Sequence, residues 1–205
     1  WNVAPMGLSS VPAYFQEFID KVLVNLPFCL GYIDDVLVYS TTVTQHLQHL
    51  HQFFIRAREL KLHLKPQKCS WFCKALPWLG YRLSPGAINM LPKNSSTMLS
   101  EPRPEPREDL TRFLGRLNYY RAFIRQFSGT AAPLYEKLKG PGKGRDKILW
   151  SDPCKEAYTS LLSTIKDNPT LHTFRPDLPI RVKTDACSGV GLGAVLEQDH
   201  GLDPN

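Results

Sequence analysis

The order of hydrophobic and polar residues predicts an alternation of helices and short strands. Residues 8–25 place apolar side chains at the spacing of one helical face, after start signals at Ser9, Ser10 and Pro12. The members of that face are Tyr14, Phe18, Val22 and Leu26. The same period returns over residues 44–61 and predicts a second helix.

Between these two helices, residues 28–40 form a β-rich run that only Asp34 and Asp35 interrupt. Two apolar segments around a two-residue polar break are typical of a β-hairpin, which would carry both carboxylates at its tip. Adjacent carboxylates repel each other by roughly 1–4 kcal/mol at surface-like dielectric constants. The pair therefore indicates a site for a divalent cation, although Asp-Asp pairs also occur in loops that bind none.

Short strands, a linker and a longer helical region are predicted in the second half. Strands are expected over residues 76–83 and 87–91, and alternating prolines predict a linker over 101–106. A helical region over 110–127 follows. Beyond it, the sequence predicts a glycine-rich break at 140–145, a helix capped by Asp152, and strands at 180–184 and 190–196.

Four arginines are interleaved with the apolar positions of the 110–127 region: Arg112, Arg116, Arg121 and Arg125. They form either a solvated helix face or a basic edge that lies along a phosphate backbone. The chain as a whole carries 25 Lys and Arg against 19 Asp and Glu, a net charge of +6. This excess permits a polyanionic partner and does not require one.

Other compositional features restrict the class of protein. No uninterrupted apolar run of about 18 residues occurs, so no membrane span is expected. The five cysteines lack the spacing of a zinc site and are expected to be free thiols. The chain opens on Trp1 without an initiator Met or a signal core, which predicts a piece of a longer protein.

Several segments resemble, in order, the motifs of one enzyme family. Residues 32–35 match the Tyr-x-Asp-Asp motif of reverse transcriptases, and residues 5–16 resemble the segment that lines the nucleotide and template site. Residues 62–69 are similar to the motif in which a lysine approaches the triphosphate. Residues 78–81 resemble the primer grip, and residues 113–124 resemble the thumb signature of gypsy-class long-terminal-repeat retrotransposons.

Residues 184–196 resemble the opening strands of the RNase H domain that is fused behind such polymerases. The chain is thereby identified as a member of the reverse transcriptase/RNase H polyprotein segments of gypsy-class retrotransposons. The resemblance implies an α+β fold with three parts. These are a partial palm over residues 1–91 (an antiparallel sheet with helices on one face), a helical thumb with the proline-rich linker over 92–146, and the truncated start of an RNase H-like αβ domain over 147–205.

The function that the resemblance implies is RNA-directed DNA synthesis with RNase H cleavage, by two-metal chemistry on a primer-template. The expected partners are an RNA or DNA template-primer, an RNA–DNA hybrid, dNTPs, and a partner chain or the rest of the polyprotein. The expected location is intracellular, in the cytoplasm, a virus-like particle or the nucleus, with no membrane association. The alternative is a non-catalytic remnant of a retroelement that at most binds nucleic acid.

The resemblance also assigns roles to single residues. Asp34 and Asp35 would bind Mg²⁺, or Mn²⁺ as the alternative, with Tyr32 supporting the primer end; Asp185 would be the first carboxylate of the RNase H metal site. The remaining assignments are Gly7 and Gln16 for the nucleotide and template, Lys68 (or Lys65) for the triphosphate, Trp78, Leu79, Gly80 and Tyr81 for the primer grip, and Arg112, Arg116, Arg121 and Arg125 for thumb contacts with nucleic acid.

Parts of both implied active sites are not found in the sequence. The third polymerase aspartate is expected on a strand before Gly7, and none of the six preceding residues is acidic. The later RNase H acids are expected beyond Asn205. We therefore expect the isolated 205-residue chain to be inactive.

Overall fold

The computed structural model describes residues 7–187 and 191–201, with the side chains of 185–192 left out. The chain divides into two compact units, up to Cys73 and from Lys74 onward. The first unit contains helix α1 (Val11–Leu23), strands β1 (Cys29–Tyr32) and β2 (Asp35–Val38), helix α2 (Val43–Glu59) and a short 3-10 turn (Pro66–Lys68).

The second unit is mixed helix and sheet. Its strands are β3 (Leu76–Trp78), β4 (Tyr81–Ser84), β5 (Ala87–Met90), β6 (Leu171–His172), β7 (Ile180–Cys187) and β8 (Gly191–Gln198). Its helices are α3 (Pro92–Ser100), α4 (Arg107–Tyr119), α5 (Phe127–Glu136) and α6 (Asp152–Asp167), with a 3-10 turn at Arg121–Phe123. The α+β class expected from the sequence is confirmed.

Helix α1 forms where its spacing predicted it, but its cap and its buried face differ from the prediction. Ser10 stands at the N-cap position and its side chain caps no backbone amide, so the predicted serine cap is wrong. Tyr14 is 70% exposed, whereas Ile19 and Val22 are buried. The helix is therefore rotated so that Ile19, and not Tyr14, packs inward.

Helix α2 begins with a reciprocal cap. The Thr42 hydroxyl accepts a hydrogen bond from the backbone N–H of Gln45. In return, the side-chain oxygen of Gln45 accepts a hydrogen bond from the backbone N–H of Thr41 at 3.0 Å. Leu50, Phe53 and Ala57 of α2 are buried.

The β1–β2 hairpin packs against α1 and α2, as the sequence predicted. Val22, Leu26, Cys29 and Phe53 form the buried cluster of this unit. Gly31 lies where α1 approaches β1 most closely, because a Cβ at this position would come within 2.5 Å of Ile19 Cγ2 and 2.7 Å of Leu23 Cδ1. The absence of a side chain at position 31 sets the distance between helix and hairpin.

The second unit has one four-stranded antiparallel sheet in the order β3-β4-β5-β6. The single strand predicted over residues 76–83 is wrong, because a turn at Leu79 and Gly80 divides this segment into β3 and β4. Helix α3 had no sequence prediction. Its buried Met98 joins a core to which α4, α5 and α6 contribute Leu114, Leu134 and Leu161.

The proline-rich segment 101–106, which the sequence predicted to be a linker, is held in place by contacts with residues 148 and 150. The Trp150 indole donates to the Pro104 carbonyl at 3.0 Å, and Arg103 lies 5.0 Å from the centre of the Trp150 ring. The Ile148 amide donates to the Glu105 carbonyl at 2.8 Å. The glycine-rich segment is held as well, since the Gly144 carbonyl accepts from the Glu108 amide at 2.8 Å.

The elements pack across the domain boundaries that the sequence predicted at residues 91 and 146. Helix α6 shares its core with α4 and α5, and β6 extends the sheet of β3, β4 and β5. Helix α6, after residue 147, therefore packs with the region assigned to the thumb, and β6 pairs with β5 of the region assigned to the palm. The division into palm, thumb and RNase H-like part at residues 91 and 146 stays a prediction.

Two further expectations concern membranes and cysteines. No helix within residues 7–187 and 191–201 is long and apolar enough to cross a membrane. Cys29, Cys69, Cys73 and Cys154 are free thiols.

Replacing Gly31 by alanine should destabilise the hairpin. The added methyl group must displace Ile19 or Leu23, and overpacking of this kind costs roughly 1–3 kcal/mol. Urea unfolding of the Gly31→Ala chain measures the loss of stability. Gly115→Ala is the control, because a Cβ there would meet no heavy atom within 4 Å beyond its chain neighbours and the backbone of its own helix. A Gly31→Ala chain as stable as the wild type would contradict the close approach.

Candidate active site and nucleic-acid interface

The two adjacent aspartates lie at the turn of the β1–β2 hairpin. Tyr32 pairs with Asp35, so the turn itself consists of Ile33 and Asp34, and Asp35 is the first residue of β2. The sequence had placed both carboxylates in the turn, and this register corrects that placement by one residue. Ile33 has φ +50°, a left-handed conformation that is strained for a β-branched residue.

Gln16 of α1 holds this strained turn with both ends of its side-chain amide. Its Oε1 accepts from the Ile33 amide at 2.7 Å, and its Nε2 donates to the Gly31 carbonyl at 3.3 Å and to Asp20 Oδ1 at 2.8 Å. The side chain predicted to line the nucleotide and template site thus forms hydrogen bonds within the hairpin. Through these bonds to Gly31 and Ile33, Gln16 fixes the backbone of the turn that carries Asp34.

Asp34 and Asp35 are both exposed, and neither forms an ion pair with a cation of the described residues. No cluster of three or more metal-binding side chains occurs in the described part of the chain. The site therefore offers two carboxylates. This donor set fits Mg²⁺, which binds one or two protein carboxylates and completes its octahedron with water and substrate phosphates. Tyr32, the last residue of β1, pairs with Asp35 across the hairpin, and its side chain is 53% exposed.

The other residues predicted for catalysis and for nucleotide binding lie in separate parts of the chain. Gly7 is exposed and has φ +96°, which favours glycine. Lys68 ends the 3-10 turn that Lys65 precedes, and both side chains are exposed. The backbone of Asp185 pairs with Gly193 in the β7–β8 hairpin, while its side chain lies outside the described residues. The roles assigned to these residues stay predictions.

The predicted primer grip is the turn between β3 and β4. Trp78 pairs with Tyr81, so Leu79 and Gly80 form a two-residue turn, with φ +46° and +76°. Both turn carbonyls accept hydrogen bonds from side chains of α3 and of the end of α4. The donors are Tyr119, Tyr120 and Asn94.

These three donors were not assigned a role from the sequence. Tyr119 and Tyr120 belong to the thumb signature that the sequence resembles, and this was the signal that could have indicated them. Asn94 lies in helix α3, which the sequence did not predict. Only the fold brings α3 and the end of α4 to the same turn.

The four arginines fall into two classes. Arg112 contacts Glu108 at 3.2 Å and Asp109 at 3.1 Å, and Arg116 contacts Glu101 at 2.6 Å. The hydrogen bond from Arg116 lowers the pKa of Glu101. Arg121 and Arg125 are exposed, and no carboxylate of the described residues lies within ion-pair distance of either. Two of the four arginines are thus paired with acids, and the assignment of all four to nucleic-acid contacts stays a prediction.

Replacing Gln16 by leucine should loosen the 33–34 turn. The Ile33 amide loses its acceptor, and an unsatisfied part-buried donor costs roughly 1–3 kcal/mol. Amide hydrogen exchange at Ile33 should accelerate accordingly. Glu17→Leu, on the exposed side of the same helix, is the control and should leave this exchange rate unchanged. Equal exchange in the wild type and in Gln16→Leu would contradict the role of Gln16.

Two family models match the chain. "Reverse transcriptase (RNA-dependent DNA polymerase)" matches residues 1–83, and "RNase H-like domain found in reverse transcriptase" matches residues 150–204. The first match contains the segments at 5–16, 32–35, 62–69 and 78–81, and the second contains the segment at 184–196. The second match begins just before α6, the helix that packs with α4 and α5.

Curated relatives and solved structures agree with these matches. The Transposon Tf2-3 and Tf2-7 polyproteins of Schizosaccharomyces pombe are each 30% identical over 203 residues, which is 98% of this chain and 15% of theirs. The foamy viral protease-reverse transcriptase in complex with dsDNA has a TM-score of 0.77 and 22% identity, over 100% of this chain and 42% of that one. The same viral protein with an RNA/DNA hybrid has a TM-score of 0.75 and 20% identity, over 96% and 28%.

These structural neighbours show the reverse-transcriptase fold. The chain spans only 15% of the length of the curated polyproteins that it matches. The family expected from the sequence is confirmed. The chain thus carries one segment that matches the reverse transcriptase family and one that matches the RNase H-like domain found in reverse transcriptases, and it is similar to the Tf2 transposon polyproteins over 98% of its length.

Proposed function

We propose that the longer protein containing this segment is an RNA-directed DNA polymerase with RNase H, and that Asp34 and Asp35 belong to its polymerase site. One observation carries the proposal. Two adjacent exposed carboxylates stand at a strained turn, without a neutralising cation among the described side chains, and Gln16 holds that turn by hydrogen bonds. A turn with only a structural role gains nothing from this arrangement.

Asp34 and Asp35 would hold Mg²⁺, with Mn²⁺ as the alternative. The bound ion supplies charge neutralisation at the triphosphate and activation of the primer hydroxyl. The chain's own contribution is orientation. The Gln16 hydrogen bonds and the tight contact at Gly31 keep the aspartates in place relative to α1, and catalysis by positioning requires such rigidity.

Substrates are proposed from the same site. The exposed Tyr32 ring beside the aspartates offers an apolar face to the terminal base of a primer. A dNTP would meet the aspartates through its phosphates, with Lys68 or Lys65 as the cationic contact. The RNase H activity is proposed through Asp185, together with acids supplied by the rest of the polyprotein.

A template-primer duplex is the proposed nucleic-acid partner. Solved structural neighbours were determined with dsDNA and with an RNA/DNA hybrid. In this chain, Arg121 and Arg125 are the members of the thumb set that are exposed without an acidic partner among the described residues. Arg112 and Arg116 must first leave their carboxylates before they can neutralise phosphates. We therefore propose Arg121 and Arg125 as the main thumb contacts.

Loss of either aspartate should abolish DNA synthesis by the polyprotein polymerase. Asp34→Asn and Asp35→Asn each remove a charge at the proposed metal, and we expect losses of roughly 10²–10³-fold or more. Primer extension with Mg²⁺ measures the effect, and Asp167→Asn, an exposed aspartate at the end of α6, should extend normally. Full extension by the Asp34→Asn enzyme would refute the assignment. The 205-residue chain alone should show no extension, because two carboxylates do not complete a two-metal site.

Nucleic-acid binding should depend on Arg121 and Arg125 more than on Arg112 and Arg116. Removal of one phosphate contact should lower the log–log salt slope by roughly 0.7–0.9. The Arg121→Ala/Arg125→Ala chain should therefore bind a labelled RNA–DNA hybrid more weakly, with a slope lower by about 1.4–1.8. The Arg112→Ala/Arg116→Ala chain is the matched control and should change little. Equal slopes in all three chains would favour the non-catalytic remnant with a solvated basic face.

A further inference from the structure

The turn between β3 and β4 has a conformation that its own residues do not favour. Leu79 and Gly80 both have positive φ, +46° and +76°. Two-residue turns with this geometry favour Asn-Gly or Asp-Gly, and a leucine in the left-handed region is strained. Contacts from outside the turn must therefore offset this strain.

Three side chains supply these contacts. Tyr119 Oη donates to the Leu79 carbonyl at 2.5 Å, and Tyr120 Oη donates to the Gly80 carbonyl at 3.0 Å. Asn94 Nδ2 donates to the Gly80 carbonyl at 3.3 Å and to Tyr120 Oη at 2.7 Å. Each carbonyl of the turn is thus an acceptor for a side chain from α3 or from the end of α4.

Aromatic packing holds the same turn sterically. The Tyr81 ring stacks on Tyr119 at 5.2 Å between centroids and meets Tyr120 edge-on at 5.6 Å. A Cβ on Gly80 would lie 3.3 Å from both Tyr119 Cε1 and Tyr120 Oη. A side chain at position 80 would therefore force one of these rings to move by a few tenths of an ångström.

The Tyr81 and Tyr120 phenols remain hydrogen-bond donors at physiological pH. Burial raises the pKa of Tyr120 and raises that of Tyr81 to about 12. Tyr81 Oη in turn donates to the Tyr119 carbonyl at 3.0 Å. Side chains at the end of α4 thus donate to the turn before β4, and a side chain of β4 donates to the end of α4.

We propose that Tyr120 and Asn94 are positioning residues that fix the Leu79–Gly80 turn, and with it the direction in which this turn faces a primer strand. Tyr120 is only 5% exposed, so it acts through the Gly80 carbonyl and not by contact with nucleic acid. Tyr119, at 50% exposure, is the third donor. The assignment of the turn to the primer rests on the proposed function. The assignment of its anchors rests on the hydrogen bonds alone.

The first experiment measures the turn without nucleic acid. Amide hydrogen exchange at Tyr81, which pairs with Trp78 across the turn, should be roughly five- to tenfold faster in Tyr120→Phe, the scale of one missing hydrogen bond. Asn94→Ala should show a smaller acceleration, and the double variant should show the largest. Tyr158→Phe is the matched control: Tyr158 belongs to the same core, packs on Phe113 and Trp150, and does not contact the turn. Unchanged exchange in the double variant would overturn the proposal.

The second experiment measures the consequence for the primer. A DNA primer with 2-aminopurine at its 3′ end, annealed to an RNA template, reports the environment of the primer terminus on binding to the chain. Tyr120→Phe should change this fluorescence and leave the salt slope of binding intact, because the substitution removes no group that neutralises a phosphate. A Tyr120→Phe chain whose bound primer fluoresces as in the wild type would overturn the link to the primer. A wild-type chain that binds no primer-template would refute the proposed binding of nucleic acid by this segment, and the exchange experiment would still decide the role of the anchors.

Discussion

The Gln16 side chain is the contact on which the candidate polymerase site depends. It joins helix α1 to the turn that carries Asp34, and it does so at the amide of a residue, Ile33, whose backbone is strained. A turn in this conformation would relax if nothing outside the hairpin held it. The contact is possible because Gly31 allows α1 to lie directly against β1.

The second unit uses the same principle with different side chains. Leu79, like Ile33, is a bulky residue in the left-handed region, and side chains from neighbouring helices again bond to the backbone of the turn. In the first unit an amide side chain accepts from a backbone N–H, whereas in the second unit phenols and an amide donate to carbonyls. Both turns belong to segments that the family resemblance assigns to the active site and the primer. Strain concentrated at such positions is expected where geometry matters for function.

Positive charge is distributed unevenly among the thumb arginines. Arg112 and Arg116 are paired with carboxylates on or before their own helix, so they contribute less free positive charge than their number suggests. Exposed ion pairs of this kind stabilise a fold only weakly, but they do compete with a phosphate for the same guanidinium. Arg121 and Arg125, which follow α4, meet no such competition from the acids described. The positive charge that is free of acidic partners is therefore smaller than the sequence spacing of the arginines indicates.

The sequence by itself determined the family, the α+β class, the β1–β2 hairpin and its two aspartates. These depend on local signals, namely short apolar runs, turn residues and motifs whose order along the chain is independent of packing. Tertiary structure alone decided the partners of those segments. It showed that Gln16 bonds to Ile33, that the prolines of 101–106 are held by Trp150, and that α6 shares its core with α4. Tyr120 and Asn94 are 26 residues apart in sequence and meet at a carbonyl 14 residues from Asn94. No local sequence pattern predicts these hydrogen bonds, because they form only when the helices and strands pack and bring distant donors to the carbonyls of the turn.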